Sequence, residues 1–300
     1  MAATVSLLLL AAAVVAVARS GIDVRAVRSI VAGAHADLLI AAVTLPLLNL
    51  AISAGVFWVL TRRFGRVAYS EMCALIGAAW LLNYLPMRPG LVGRVAYHKA
   101  VNGIPVAQGA RVVGESIACS AVASLGAVGW SVVAARRPEW AGWLGVVPVV
   151  VIVGLGVAGA VAPLRTWGAV CGAMALRIAD LIVWTLRYWV VFAIADSPVT
   201  MAQAAAVAAV SQVAMSVPLV GNGLGLREWA VGLLRASLPA WYGVGAASSA
   251  GLTADLVNRA AELLVAVPVG LLCAAAVTRR IRAVGGKSAV EGVVEGAGGD

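Results

Sequence analysis

Long apolar runs separated by short polar stretches dominate the chain. Runs of spanning length fall at 2–18, 37–60, 71–86, 106–134, 141–162, 168–195, 199–218 and 253–278. A helix needs about 20 apolar residues to cross a hydrocarbon core roughly 30 Å thick. The pattern therefore predicts an all-α, polytopic membrane bundle of about eight spans. Two further segments, 88–103 and 223–237, are too short and too charged to cross alone. Residues 19–36 set Ile22, Val27, Ile30 and Val31 among arginines, the pattern of an interfacial amphipathic helix. A single membrane domain is expected over 1–282, followed by a Gly-rich, disordered tail over 283–300.

Composition agrees with this reading. The 300 residues are 62% hydrophobic and 12% charged, against about one half and one quarter in soluble domains. The net charge of +9 comes almost entirely from arginine. Those arginines sit in short loops or inside apolar runs, so anionic lipid headgroups, not nucleic acid, are the expected partners. Cys73, Cys119, Cys171 and Cys273 lie singly in apolar runs, without CxxC spacing, and read as small buried hydrophobes. The opening MAATVSLLLLAAAVVAVA ends in a cleavage-like Ala16-Val17-Ala18 but lacks a positive n-region, so an uncleaved first helix is expected. His35 and His98 have no second ligand at useful spacing, and both are expected to be solvated or interfacial. No metal and no cofactor is implied.

Orientation follows the basic loops. Arg62, Arg63 and Arg66, then Arg136 and Arg137, then Arg279, Arg280, Arg282 and Lys287 share one side in an eight-span path. The positive-inside rule makes that side cytoplasmic and places both termini there, in a multi-pass plasma-membrane protein. Arg19, Arg25 and Arg28 then lie outside, against the rule. Trp58, Trp140, Trp143, Trp167 and Trp241 sit near span ends, as an aromatic belt requires.

Two apolar runs end in proline, pass through glycines and restart on arginine: NYLPMRPGLVGRVAYHK at 83–99 and MSVPLVGNGLGLREWAVGLL at 215–234. Non-helical backbone at membrane depth is tolerated only inside protein or against a water-filled cavity. Paired interruptions of this kind mark transporter binding sites. Arg94 and Arg227 are expected in the first turns of the restarting helices, where the dipole already supplies positive charge, and an anion would neutralise both. A lipid phosphate suits that need, with Arg88, Arg94 and Arg227 as the clamp, Arg187 as a further contact and Glu228 orienting Arg227. Asn83, Pro86 and Gly90, with Pro218, Gly223 and Gly225, would shape the re-entrant backbone.

The remaining intramembrane charges come in helical pairs: Arg111 with Glu115, Arg177 with Asp180, and Arg259 with Glu262. A lone charge at the bilayer centre costs about 2.5–3.5 kcal/mol on insertion scales, so mutual neutralisation and helix packing account for these pairs. Arg187 has no exclusive partner at this spacing. Asn83 and Asn258 suit either the site or a hydrogen bond between helices. GNGLG at 221–225 lacks the strand and the Lys-Ser/Thr of a phosphate-binding loop.

Asn83-x-x-Pro86-x-Arg88-x-Gly90, Arg94, Arg187-Tyr188, Pro218, the run Gly223-Leu224-Gly225-Leu226-Arg227-Glu228 and Asn258-Arg259 together resemble the lysylphosphatidylglycerol synthase transmembrane, or flippase-like, family over most of residues 20–280. The chain departs from that pattern at Leu91, where the family carries an acidic residue, and at Glu115-Ser116, where it carries Glu-Arg. These 300 residues include no aminoacyl-transferring soluble domain. The resemblance implies a helical bundle with two re-entrant segments around a central cavity, and movement of a polar lipid headgroup between leaflets. An anionic phospholipid or a polyprenyl-phosphate-linked glycolipid is the expected cargo. The alternatives are a membrane enzyme of lipid or glycolipid biosynthesis and a non-transporting, lipid-binding subunit that docks a separate lipid-modifying enzyme. An enzyme would have to use Glu115, Asp180 or Glu228, each beside an arginine that keeps it ionised.

Overall fold

The computed structural model describes residues 32–84, 89–137, 139, 143–161, 165–216 and 248–297. Among these there are eight helices and no strands: α1 (Ala36–Thr61), α2 (Tyr69–Leu82), α3 (Pro89–Asn102), α4 (Val106–Arg136), α5 (Trp143–Val161), α6 (Arg165–Ile194), α7 (Met201–Ser216) and α8 (Ser248–Ala297). Four stretches, Ala36–Thr61, Val106–Ala134, Thr166–Ile194 and Ala254–Val284, are long and apolar enough to cross a bilayer. Large apolar side chains face outward, Ile40, Val122, Leu125, Val150 and Leu272 among them, while Asn49, Arg94, Asp180, Arg187, Arg259 and Glu262 are buried. Charges inside and hydrocarbon outside is the arrangement of a multi-pass membrane protein.

The sequence dictates several helix ends directly. Gly103 adopts a left-handed φ of +67° that stops α3, the Ile104 N–H returns to the His98 carbonyl at 3.0 Å, and Pro105 precedes the first turn of α4. Thr200 and Gln203 form a reciprocal capping box at the start of α7: the Thr200 N–H donates to Gln203 Oε1, and the Gln203 N–H to Thr200 Oγ1. Pro89 opens α3 at the one helical position where a missing N–H costs nothing.

Helix α1 runs antiparallel to α6, with Asn49 beside Asp180, Gly55 against Leu176 and Val59 against Gly172. Helix α2 runs antiparallel to α8: Glu71 meets Arg280, Gly77 faces Cys273, and Trp80 reaches Glu262. Two apolar cores stack along the bundle. One joins Ala42 of α1 to α6, α7 and α8 through Trp184, Val191, Val207 and Val257. The other joins Val56 and Leu60 of α1 to α2, α3 and α4 through Met72, Tyr97 and Val112. Asn49 lies between them along α1, and Arg177 and Asp180 lie between them along α6. The polar groups thus occupy a layer sandwiched by hydrocarbon.

Two expectations are corrected here. The run 71–86 reads as a span, yet α2 has 14 residues, about 21 Å of helix, and the chain then returns. Helix α3 also has 14 residues, and its last residue, Asn102, donates to Glu71 in the first turn of α2 at 3.1 Å. Helices α2 and α3 therefore form a hairpin whose open end lies at one end of the bundle. In consequence α4 starts at the Arg62–Arg66 end, where Ile104 packs on Gly65, and its 31 residues carry Arg136 about 46 Å away. Arg136 and Arg137 do not share a side with Arg62, Arg63 and Arg66, whereas Arg280, bonded to Glu71, does.

Candidate functional site

The buried polar layer is a connected chain of side chains from five helices. On α6, Arg177 bonds Asp180 at 3.2 Å and donates to Ser116 Oγ of α4 at 2.7 Å. Asp180 accepts from Asn49 Nδ2 of α1 at 2.8 Å, and Asn49 Oδ1 accepts from Arg187 Nη1 at 3.2 Å. Arg187 is 2% exposed; its Nε and Nη2 fork onto Asn258 Oδ1, and Nη2 also meets Glu262 Oε2 at 2.9 Å. Trp184 lies under its guanidinium at 3.9 Å. Glu262 accepts further bonds from Tyr84 Oη at 2.9 Å and Trp80 Nε1 at 3.1 Å, both from the α2 arm of the hairpin. A desolvated charge held by so many fixed partners is costly to disturb. Arg187 therefore acts as a keystone joining α1, α6 and α8, with its fork already engaged.

Arg94 differs. It stands in the second turn of α3, beyond the first turn where the helix dipole acts most strongly, so dipole repulsion weighs less on it than its sequence position suggests. It is 7% exposed; its Nε donates to the Gly90 carbonyl, and its guanidinium stacks on Phe57 of α1 at 4.0 Å. Arg177 approaches the same ring at 5.8 Å. The structure thus groups Arg94 with Arg177 across Phe57, while Arg187 bonds Asn49, about two turns of α1 away. Arg94 also lines a cavity of about 330 Å³ between α2, α3 and α8. A second space on its α1 and α4 side holds only about 10 Å³, too little for more than one water.

Two of the three expected pairs form, one of them with an extra member. Arg111 and Glu115 meet at 2.9 Å, but Glu115 also binds Arg63 from the end of α1. Arg63 is buried and Arg111 is exposed. Arg177 and Asp180 pair as their spacing predicts. Arg259 is buried, and Glu262, read as its partner, binds Arg187 of another helix instead. Asn83 caps the end of α2 with its Oδ1 buried against Gly90. Pro86, Arg88, Pro218, Gly223, Gly225, Arg227 and Glu228 lie outside the described residues. His35 is exposed, but His98 is buried, its Nδ1 2.9 Å from Asn102 Oδ1, which corrects the expectation of a solvated or interfacial ring.

Several buried polar residues escape a reading by paired charges. Glu71 gathers Tyr97 Oη, Asn102 Nδ2 and Arg280 Nη2 at 2.8–3.1 Å, fastening both arms of the hairpin to α8. Asp255 accepts from Tyr188 Oη at 2.6 Å, and that hydroxyl also meets Ser211 of α7 at 2.6 Å. A signal for Asp255 exists in the helical stripe Asp255, Asn258, Arg259, Glu262. Asn49, a lone amide in an apolar run, carries a similar one. Comparison with protein-family models, curated proteins and solved structures returned no match.

Proposed function

We propose that this protein binds an anionic membrane lipid by its phosphate at Arg94 and carries the headgroup between leaflets. The observation that carries this reading is a buried arginine on the wall of a sizeable cavity, within a bundle whose outer surface is hydrocarbon. An arginine at membrane depth is a functional-site residue by default, and phosphate is the anion that a bilayer supplies. Helices α2 and α3 serve as a re-entrant hairpin, the first of two in this reading. In the same reading Arg88, Arg227 and Glu228, which lie outside the described residues, serve the same ligand. Arg187 holds the frame behind them. The sequence resemblance to flippase-like proteins supports the same assignment.

Charge-assisted hydrogen bonds contribute about 1.5–3 kcal/mol each, so Arg94→Gln weakens phosphate binding by at least about tenfold. Headgroup translocation in proteoliposomes, beside a thermal-stability assay, reads this out. A folded Arg94→Gln protein that moves lipid at the wild-type rate refutes the assignment.

A further inference from the structure

We propose that the cavity between α2, α3 and α8 is a slot for one hydrocarbon chain of the lipid whose phosphate Arg94 binds; the headgroup part rests on the function proposed above. Two glycines on its wall carry the argument. At Gly90 a Cβ would lie 2.5 Å from the Ala79 carbonyl oxygen and 2.6 Å from Asn83 Oδ1, so glycine is required for the hairpin to close. At Gly93 a Cβ would meet nothing within 4 Å. Neither a turn, nor close packing, nor a left-handed φ accounts for Gly93, and a glycine inside a helix is disfavoured against alanine. What Gly93 supplies is room. Ala78, Ala79, Ala96 and Ala100 keep the rest of the wall shallow.

Chemistry selects the occupant. Among the described residues Arg94 is the single charged one lining the cavity, and the rest of the wall is almost wholly apolar, a surface that favours hydrocarbon. A volume of about 330 Å³ falls in the range of ligand sites, and with Gly93, Ala96 and Ala100 exposed it is a groove open at its side. The lining runs along α3 from Gly90 to Ala100, about 15 Å of helix, half of a hydrocarbon core roughly 30 Å thick. One leaflet's depth of chain fits that length. Ile281 lines the cavity and is exposed, so a chain can enter sideways from the bilayer. A lipid seated in this way keeps its phosphate inside the protein while its tail stays in hydrocarbon. An acyl chain and a polyprenyl chain share this chemistry.

The test uses the full chain in lipid nanodiscs with three photoreactive probes, each bearing a diazirine in its chain: phosphatidylglycerol, neutral diacylglycerol and a polyprenyl phosphate. Labelled peptides are mapped by mass spectrometry. Wild-type protein labels on α3 and on α8 near Val277 with at least one probe, and the probe that labels identifies the chain. Gly93→Phe, which fills open space, lowers that labelling about tenfold, as excluding about two buried methylenes would, and leaves the melting temperature unchanged. Ala96→Leu fills the same cavity from the next turn and serves if Gly93→Phe does not fold. Undiminished labelling of α3 in a folded filled variant overturns the slot, as does the absence of α3 labelling by every probe. Arg94→Gln separates the two ideas. Loss of labelling by the anionic probes, with diacylglycerol retained, supports both. If Arg94→Gln changes nothing while filling the cavity blocks every probe, the slot stands and the phosphate assignment falls.

Discussion

Glu115 holds two arginines of unequal burial, and that inequality sets what each contributes. The Arg111 side chain is 56% exposed and the Arg63 side chain 6%. An exposed partner contributes about 0–1 kcal/mol, whereas stranding a buried charge costs about 3–5 kcal/mol. Arg111→Leu should therefore leave the melting temperature nearly unchanged. Glu115→Leu should lower it sharply, because Arg63 loses its carboxylate, and Arg63→Leu with Glu115→Leu should recover much of the loss. Equal, additive losses from Arg111→Leu and Glu115→Leu in thermal melts would show that Arg63 does not carry the pair. The link from Arg111 to Glu115 is legible in sequence because four residues make one helical turn. The link from Arg63 to Glu115 is not, because it depends on how α1 meets α4. Likewise the neighbours of Arg187 come from α1 and α8, and no local spacing announces them.

The hairpin of α2 and α3 is held by contact at its tip and by hydrogen bonds at its base. Gly90 against the Ala79 carbonyl sets the tip, and Glu71 with Tyr97 and Asn102 sets the base. Gly90→Ala should destabilise the protein by about 1–3 kcal/mol, since a backbone oxygen cannot step aside. Gly93→Ala, three residues on, should stabilise it by about 0.5–1 kcal/mol by removing a helical glycine without a clash. Thermal unfolding of the two purified variants measures the difference, and a neutral Gly90→Ala would show that the arms pack less closely than described. The apolar runs foretell the extent of α1, α4 and α6 well, because in a bilayer hydrophobic length and helix length coincide. They mislead at α2. Pro86 and Pro89 announce a break, but nothing local says that the next helix runs back beside α2. That choice is made by Glu71, whose partners lie 26 and 31 residues away.

The direction of the hairpin fixes the path of the whole molecule. If α2 and α3 each belonged to a separate crossing, Arg136 and Arg137 would return to the side of Arg62, Arg63 and Arg66. With the hairpin closed on itself, α4 leaves from that side and ends on the other. Among the described residues, eight basic ones then collect at one end of the bundle: Arg62, Arg63, Arg66, Lys99, Arg165, Arg279, Arg280 and Arg282. Glu71 bonded to Arg280, Asn102 bonded to Glu71, and Gly172 packed on Val59 place them there. Arg136 and Arg137 remain opposite, a smaller set among the described residues, so the positive-inside rule predicts that the larger end is cytoplasmic. Alkaline phosphatase fused after residue 66 or after residue 282 should be inactive, and the same enzyme fused after Arg137 should be active. An inactive fusion at Arg137 would mean that α2 and α3 do not return to the same side. The α2–α3 hairpin would then be lost, and with it the cavity at Arg94 that depends on its geometry.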